Sequence, residues 1–212
     1  MVMIKGFQPY LTGICDFADI LNGGRDKMPS AVIIMTDGFE EIEAVSCIDI
    51  LRRGGVDVFV LGLESADVRG SRDIIVKTDL LFDDFSGEFD AVVLPGGPGT
   101  GKLAESDKLI DFIKKANENR KICAAICAAP TVLAKAGILN GKKATCYPAP
   151  ELEERLTGAV HLNDSVVVDE NIITSRAVGT AIPFALKLVE MLAGEETANK
   201  IRSAILCYSA TI

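Results

Sequence analysis

The chain has 212 residues, 49% of them hydrophobic, and a formal net charge of −8. That length fits one domain with a single large core, and that composition excludes a disordered chain. No long uncharged apolar run offers a membrane span, and no Lys/Arg cluster offsets the negative charge, which argues against direct nucleic-acid or anionic-membrane binding.

Residues 1–27 differ from the rest of the chain. Lys5, Arg25 and Lys27 balance Asp16, Asp19 and Asp26, and no apolar core follows a basic start, so the segment makes a poor signal or transit peptide. It reads as an N-terminal extension of unassigned role, with a helical turn at residues 16–21 and Met28 as a natural start. The domain proper is expected over 28–212. From Ser30 short apolar runs alternate with amphipathic stretches. The pattern predicts strands at 31–35, 57–62, 73–77, 90–94, 121–126 and 143–147, then a hairpin of 165–168 and 171–174 turned at Asp169-Glu170. Helices are predicted at 40–53, 103–118, 128–137, 150–157, 180–193 and 195–206. Continuous apolar strands separated by helices indicate an α/β fold whose mostly parallel sheet is covered on both faces. In such sheets the site lies beyond the carboxyl ends of the strands, which selects the loops after residues 35, 94 and 126.

The first loop, Thr36-Asp37-Gly38-Phe39, leads into Glu40-Glu41-Ile42-Glu43. Acidic residues are expected in a helix's first turn, where they complement its dipole. At about 100° per residue Ala44, Cys47, Ile48, Ile50 and Leu51 form one apolar arc, and Glu41, Asp49, Arg52 and Arg53 form the opposite face. Glu43 falls inside the apolar arc, where burial would raise its pKa. A neutral carboxyl there could donate a hydrogen bond to a thiolate, whereas an ionised one would repel it. The second loop, Pro95-Gly96-Gly97-Pro98-Gly99, lets the backbone turn tightly and offers N–H groups to an oxyanion, without a dinucleotide fingerprint or P-loop. The third is Ala124-Ala125-Ile126-Cys127-Ala128-Ala129-Pro130. Cys127 stands where a strand gives way to a helix, between small neighbours, as the nucleophile of an elbow would. The dipole of the following helix would favour its thiolate. The alternative is a small buried cysteine.

Six cysteines (15, 47, 123, 127, 146 and 207) show no zinc-finger spacing, and His161 is the single histidine. This argues against a metal site of His and Cys ligands. Free thiols fit a reducing compartment, the cytoplasm by default.

Together the three loops carry a resemblance. From about residue 30 to 206 the chain resembles the ThiJ/PfpI superfamily and, within it, the DJ-one-like branch. The matching stretches are Gly38 to Glu43, Arg52-Arg53-Gly54-Gly55, Ser71-Arg72-Asp73, Leu94 to Gly97, Ala124 to Pro130, and Thr174-Ser175-Arg176 with Gly179-Thr180. The resemblance implies a flavodoxin-like three-layer sandwich, related to class I glutamine amidotransferases, and a homodimer. It makes Cys127 the reactive cysteine and Glu43 its protonated partner. Backbone amides at Gly96, Gly97 and Ala128 form the oxyanion position, and Arg53, Arg72, Tyr147 and Val178 fall at pocket positions. Members are described as protein deglycases, glyoxalases without added cofactor, and redox-responsive chaperones, so small reactive aldehydes or glycated groups are the implied partners and no cofactor is implied.

The sequence departs from the family at two positions. Many members carry a histidine where this chain has Tyr147, and a phenol of pKa ~10 is no general base at neutral pH. His161 belongs to another segment, so a Cys-His-Asp triad is disfavoured. Val178 replaces a proline beside the pocket. Two functions use the same residues: addition of Cys127 to a reactive carbonyl with Glu43 relaying a proton, or oxidation of Cys127 to a sulfinate in a non-enzymatic sensor.

Overall fold

The computed structural model describes residues 28–207. The predicted extension lies outside the described residues. In chain order the first half runs β1 (Ser30–Met35), α1 (Glu41–Arg53), β2 (Asp57–Gly62), β3 (Asp67–Arg69), β4 (Ile75–Lys77), β5 (Leu80–Leu81) and β6 (Ala91–Leu94). Then come α2 (Thr100–Glu105), α3 (Asp107–Glu118), β7 (Ile122–Ile126), α4 (Pro130–Lys135), β8 (Lys143–Ala144) and α5 (Pro150–Glu153). The chain closes with β9 (Val160–His161), β10 (Val166–Asp169), β11 (Ile172–Ser175), α6 (Ala181–Ala193) and α7 (Glu195–Ala204).

One seven-stranded sheet has the order β10-β11-β7-β6-β1-β2-β5. All its pairs are parallel except β10 with β11. Because successive side chains of a strand face opposite ways, an all-apolar strand feeds two cores at once. In β1, Ala31, Ile33 and Met35 pack with α1, α6 and α7, while Val32 and Ile34 pack with α2, α3 and α4. The expected three-layer sandwich is the direct result. In the sheet β1, β6, β7 and β11 are neighbours, so the loops leaving their carboxyl ends stand side by side.

Several predicted boundaries are corrected, each by a local cause. The helix expected over 103–118 is two: Ser106 adopts an extended backbone and caps α3 by accepting the Leu109 amide at 3.3 Å. The strand expected over 143–147 ends at Ala144, because the Thr145 amide is taken by Thr174 Oγ1 (2.9 Å) and that of Tyr147 by the Cys127 carbonyl (2.8 Å). The strand expected over 73–77 starts at Ile75, after Asp73 turns the chain at φ 66°, and pairs with β3 outside the main sheet. The final hairpin turns at Glu170 (φ 55°), with Asp169 still in its strand. The helices expected at 128–137 and 150–157 keep only Pro130–Lys135 and Pro150–Glu153.

Candidate active site

Cys127 follows the last residue of β7 and precedes the turn into α4. Its φ is 65°, in the left-handed region that costs a residue with a Cβ about 1 kcal/mol or more. Two neighbouring loops hold it there. The Cys127 amide donates to the Ser175 carbonyl at 2.9 Å, and the Cys127 carbonyl accepts the Tyr147 amide at 2.8 Å. A non-glycine residue fixed in this conformation from both sides is the elbow expected from the sequence.

Glu43 lies in the first turn of α1, with no exposed surface. Its amide donates to the capping carboxylate of Glu40 at 2.8 Å, and its Oε2 accepts the Gly96 amide at 2.9 Å. Oε1 is buried without a hydrogen bond of ordinary geometry, and the Cys127 thiol also acts on this carboxyl. Burial raises the Glu43 pKa to about 7; the Gly96 amide and Cys127 oppose the rise, and the nearby Glu40 charge adds to it.

The same environment corrects one expectation. Burial, then the Glu43 charge and its hydrogen bond, push the Cys127 thiol up to about 12, against the pull of the Ala128 and Gly97 amides. The amides at the start of the following turn pull the thiol down, as the sequence leads one to expect, but burial and Glu43 act more strongly in the other direction. The thiol and the carboxyl therefore titrate as a pair. When Glu43 is protonated its charge no longer opposes ionisation of Cys127, and its O–H becomes a donor to the sulfur.

The glycine loop is fitted to this pair. A Cβ on Gly96 would stand 2.6 Å from Cys127 Cβ and 2.9 Å from Glu43 Oε2. Gly97 has φ 100°, and a Cβ there would stand 2.4 Å from the Gly38 carbonyl oxygen. The Gly97 and Ala128 amides act on the sulfur, whereas Gly96, expected beside them at the oxyanion position, is corrected: its amide is spent on Glu43 Oε2.

The remaining predicted positions divide. Tyr147 adjoins the elbow through its amide, and its side chain is 45% exposed. Val178 lies in the turn after β11 and is half-buried. Arg72 is held near the start of α1: its amide and the Ser71 hydroxyl both donate to Glu41, the latter at 3.0 Å. Its guanidinium folds onto the Ser71 carbonyl at 3.1 Å. Arg53 is not brought to the thiol within this chain. It sits at the far end of α1, roughly 15 Å along the axis from Glu43, paired with Asp49 at 2.6 Å. No group of His161 acts on Cys127; this residue pairs with Ala144 in the β8–β9 ribbon.

Two features were not read from the sequence. Glu41, placed on the polar face of α1, is buried under residues 70–74, and the Thr180 hydroxyl meets that of Ser175. Both contacts join segments far apart in the chain or displaced by a turn, and helical periodicity carries no trace of them.

Fold and site define a flavodoxin-like sandwich whose cysteine elbow faces a buried carboxyl. The chain belongs to the DJ-1/PfpI family, whose model matches residues 29–191. It is 42% identical over 183 residues to protein dj-1beta of Drosophila melanogaster, covering 84% of this chain and 96% of that one. It is 36% identical over 174 residues to the glutathione-independent glyoxalase DJR-1.2 of Caenorhabditis elegans, covering 81% and 93%. Among solved structures, Drosophila melanogaster DJ-1beta superposes with a TM-score of 0.81 at 40% identity, covering 85% of this chain and 98% of that one. Oxidized Toxoplasma gondii DJ-1 gives 0.80 at 36% identity, covering 85% and 99%.

Proposed function

We propose that this protein is a cofactor-independent glyoxalase and deglycase acting on methylglyoxal or early glycation adducts. The observation that carries the reading is Glu43, buried against Cys127 with a pKa raised to about 7. A carboxyl poised near neutrality both gives and takes a proton efficiently. The Cys127 sulfur adds to the aldehyde carbon, and the new oxygen ends as a hydroxyl, giving a hemithioacetal. Glu43 removes the proton from that carbon and returns it to the adjacent ketone carbon, while the hemithioacetal hydroxyl proton passes to the ketone oxygen, leaving a thioester of a 2-hydroxy acid. Water then cleaves the thioester, releases the acid and restores the thiol. The sum is methylglyoxal plus water giving lactate, with no oxidant or reductant. The relative named as a glutathione-independent glyoxalase supports this class of reaction. Lactate formation by purified protein, with Cys127→Ala as control, tests it.

A second reading, a redox-responsive chaperone that senses oxidants by forming a Cys127 sulfinate, is favoured by accessibility. Cys127 and Cys207 are half-buried, whereas Cys47, Cys123 and Cys146 are buried, and of the two accessible thiols Cys127 is the one beside Glu43. We further propose a homodimer, supported by exposed Ile42 and Val45 on α1 and exposed Ile74 and Ile75 on the segment docked against its first turn. The free thiols fit a cytoplasmic setting. Among the described residues no helix is long and apolar enough to cross a membrane.

A further inference from the structure

We infer that Thr180 is a positioning residue for Cys127, acting through Ser175 on the elbow and closing the turn that carries Val178. The inference rests on the reading of Cys127 as the reactive thiol.

Ser175 ends β11 and is fully buried. Its carbonyl accepts the Cys127 amide, one of the two bonds that keep the elbow in its left-handed conformation. Its hydroxyl lies 2.7 Å from the Ser165 carbonyl and 2.7 Å from Thr180 Oγ1. Either hydroxyl can donate in the Ser175–Thr180 pair, and the single proton of each is also drawn to a carbonyl, that of Ser165 for Ser175 and that of Ala177 for the Thr180 hydroxyl. That hydroxyl also accepts the Ala177 amide at 3.1 Å and lies 2.8 Å from the Ala177 carbonyl. One side chain therefore closes the turn 176–180 and locks the end of β11 beneath the cysteine.

The competing explanation is a helix cap, because Thr180 stands at the N-cap of α6. Its side chain makes no capping bond to α6. Every hydrogen bond of that hydroxyl is turned back toward Ser175 and Ala177. A strained residue persists only where its surroundings over-determine it, and a displacement of the order of 1 Å at a reacting atom costs far more rate than stability.

The test uses the full chain with Thr180→Val, which keeps the shape and removes the hydroxyl, and Thr180→Ser, which restores it. Two rates are measured on the folded protein: alkylation of Cys127 by iodoacetamide across neutral pH, located by peptide mass spectrometry, and methylglyoxal turnover. Thr180→Val is expected to slow Cys127 alkylation by about tenfold and displace its pH profile, and Thr180→Ser to return within about twofold of wild type. Should Thr180→Val fail to fold, Ser175→Ala breaks the same link and is expected to slow alkylation likewise. A merely structural role would lower the melting temperature while leaving the alkylation rate of the folded protein unchanged, and that result overturns the inference. So does a Thr180→Ser variant as slow as Thr180→Val. A wild-type Cys127 no more reactive than Cys207 would instead overturn the site reading, and this inference with it.

Discussion

Gly96 donates its amide to Glu43 Oε2 at 2.9 Å, and this bond fixes which carboxyl oxygen is left for Cys127. The backbone passes so close that a single added methyl would meet the cysteine Cβ, the Ile126 carbonyl and the carboxylate together. Gly96→Ala is therefore expected to cost about 1–3 kcal/mol, the scale of overpacking, and to abolish selective alkylation of Cys127. Chemical denaturation alongside alkylation measures both effects.

Burial of Glu43 makes stability pH-dependent in a definite direction. Its pKa rises from 4.5 to about 7 on folding, so between those values the native state holds a proton that the unfolded chain has lost. Stability falls as pH rises through that window, is fully retained below it, and has lost the whole contribution above it. Relative to Glu43→Gln, wild type should lose up to about 3 kcal/mol across the window. Melting temperatures of the two proteins at a series of pH values should diverge accordingly. Parallel curves would mean that Glu43 is ionised throughout.

Much of this site was legible in the sequence, and the reasons differ by residue. Glu43 declared itself by falling inside an apolar arc, because the face of α1 is set by local periodicity. Cys127 and the glycines stood at strand ends, where parallel sheets gather their loops. The direction of the Cys127 pKa was not legible, since it is set by the depth of burial and by the approach of Glu43, a residue more than eighty positions away along the chain. Helical periodicity places Glu41 on the polar face and cannot show its burial, because the segment that covers it, residues 70–74, comes from a ribbon about thirty residues away along the chain. Arg53 matched a motif yet lies at the wrong end of its helix to meet Cys127 within the chain.

Glu41 is the counterpart of Glu43 two residues earlier, buried but held below the ordinary carboxylate range. Burial alone would raise it; the Arg72 amide and the Ser71 hydroxyl, with further backbone amides, reverse that. Its contribution is present above its unfolded pKa and is lost as pH falls through the folded value, opposite in sign to that of Glu43. Glu41→Ala should destabilise the fold by about 1–3 kcal/mol and free the Arg72 segment, which limited proteolysis at Arg72 would report.

The left-handed backbone at Cys127 predicts an unusual order among its substitutions. Glycine tolerates φ 65° and alanine does not, so Cys127→Gly should be more stable than Cys127→Ala by about 1 kcal/mol, although glycine is the more flexible residue unfolded. Equal stability in thermal or urea unfolding would show that the elbow relaxes once the sulfur is gone.

The central claim is that Glu43 carries the proton for chemistry at Cys127. The most direct measurement is lactate formation from methylglyoxal by wild type, Glu43→Gln and Cys127→Ala, with His161→Ala and Tyr147→Phe in parallel. Glu43→Gln keeps a hydrogen-bond donor and removes the exchangeable acid, so turnover should fall by ~10²-fold or more while Cys127 remains alkylatable. Cys127→Ala should be inactive and His161→Ala unchanged. Tyr147→Phe should lose only what a hydrogen bond of ~0.5–1.5 kcal/mol supplies. Turnover that survives in Glu43→Gln but collapses in His161→Ala would contradict the account, and a wild type with no Cys127-dependent turnover would leave oxidation, not catalysis, as the work of this thiol.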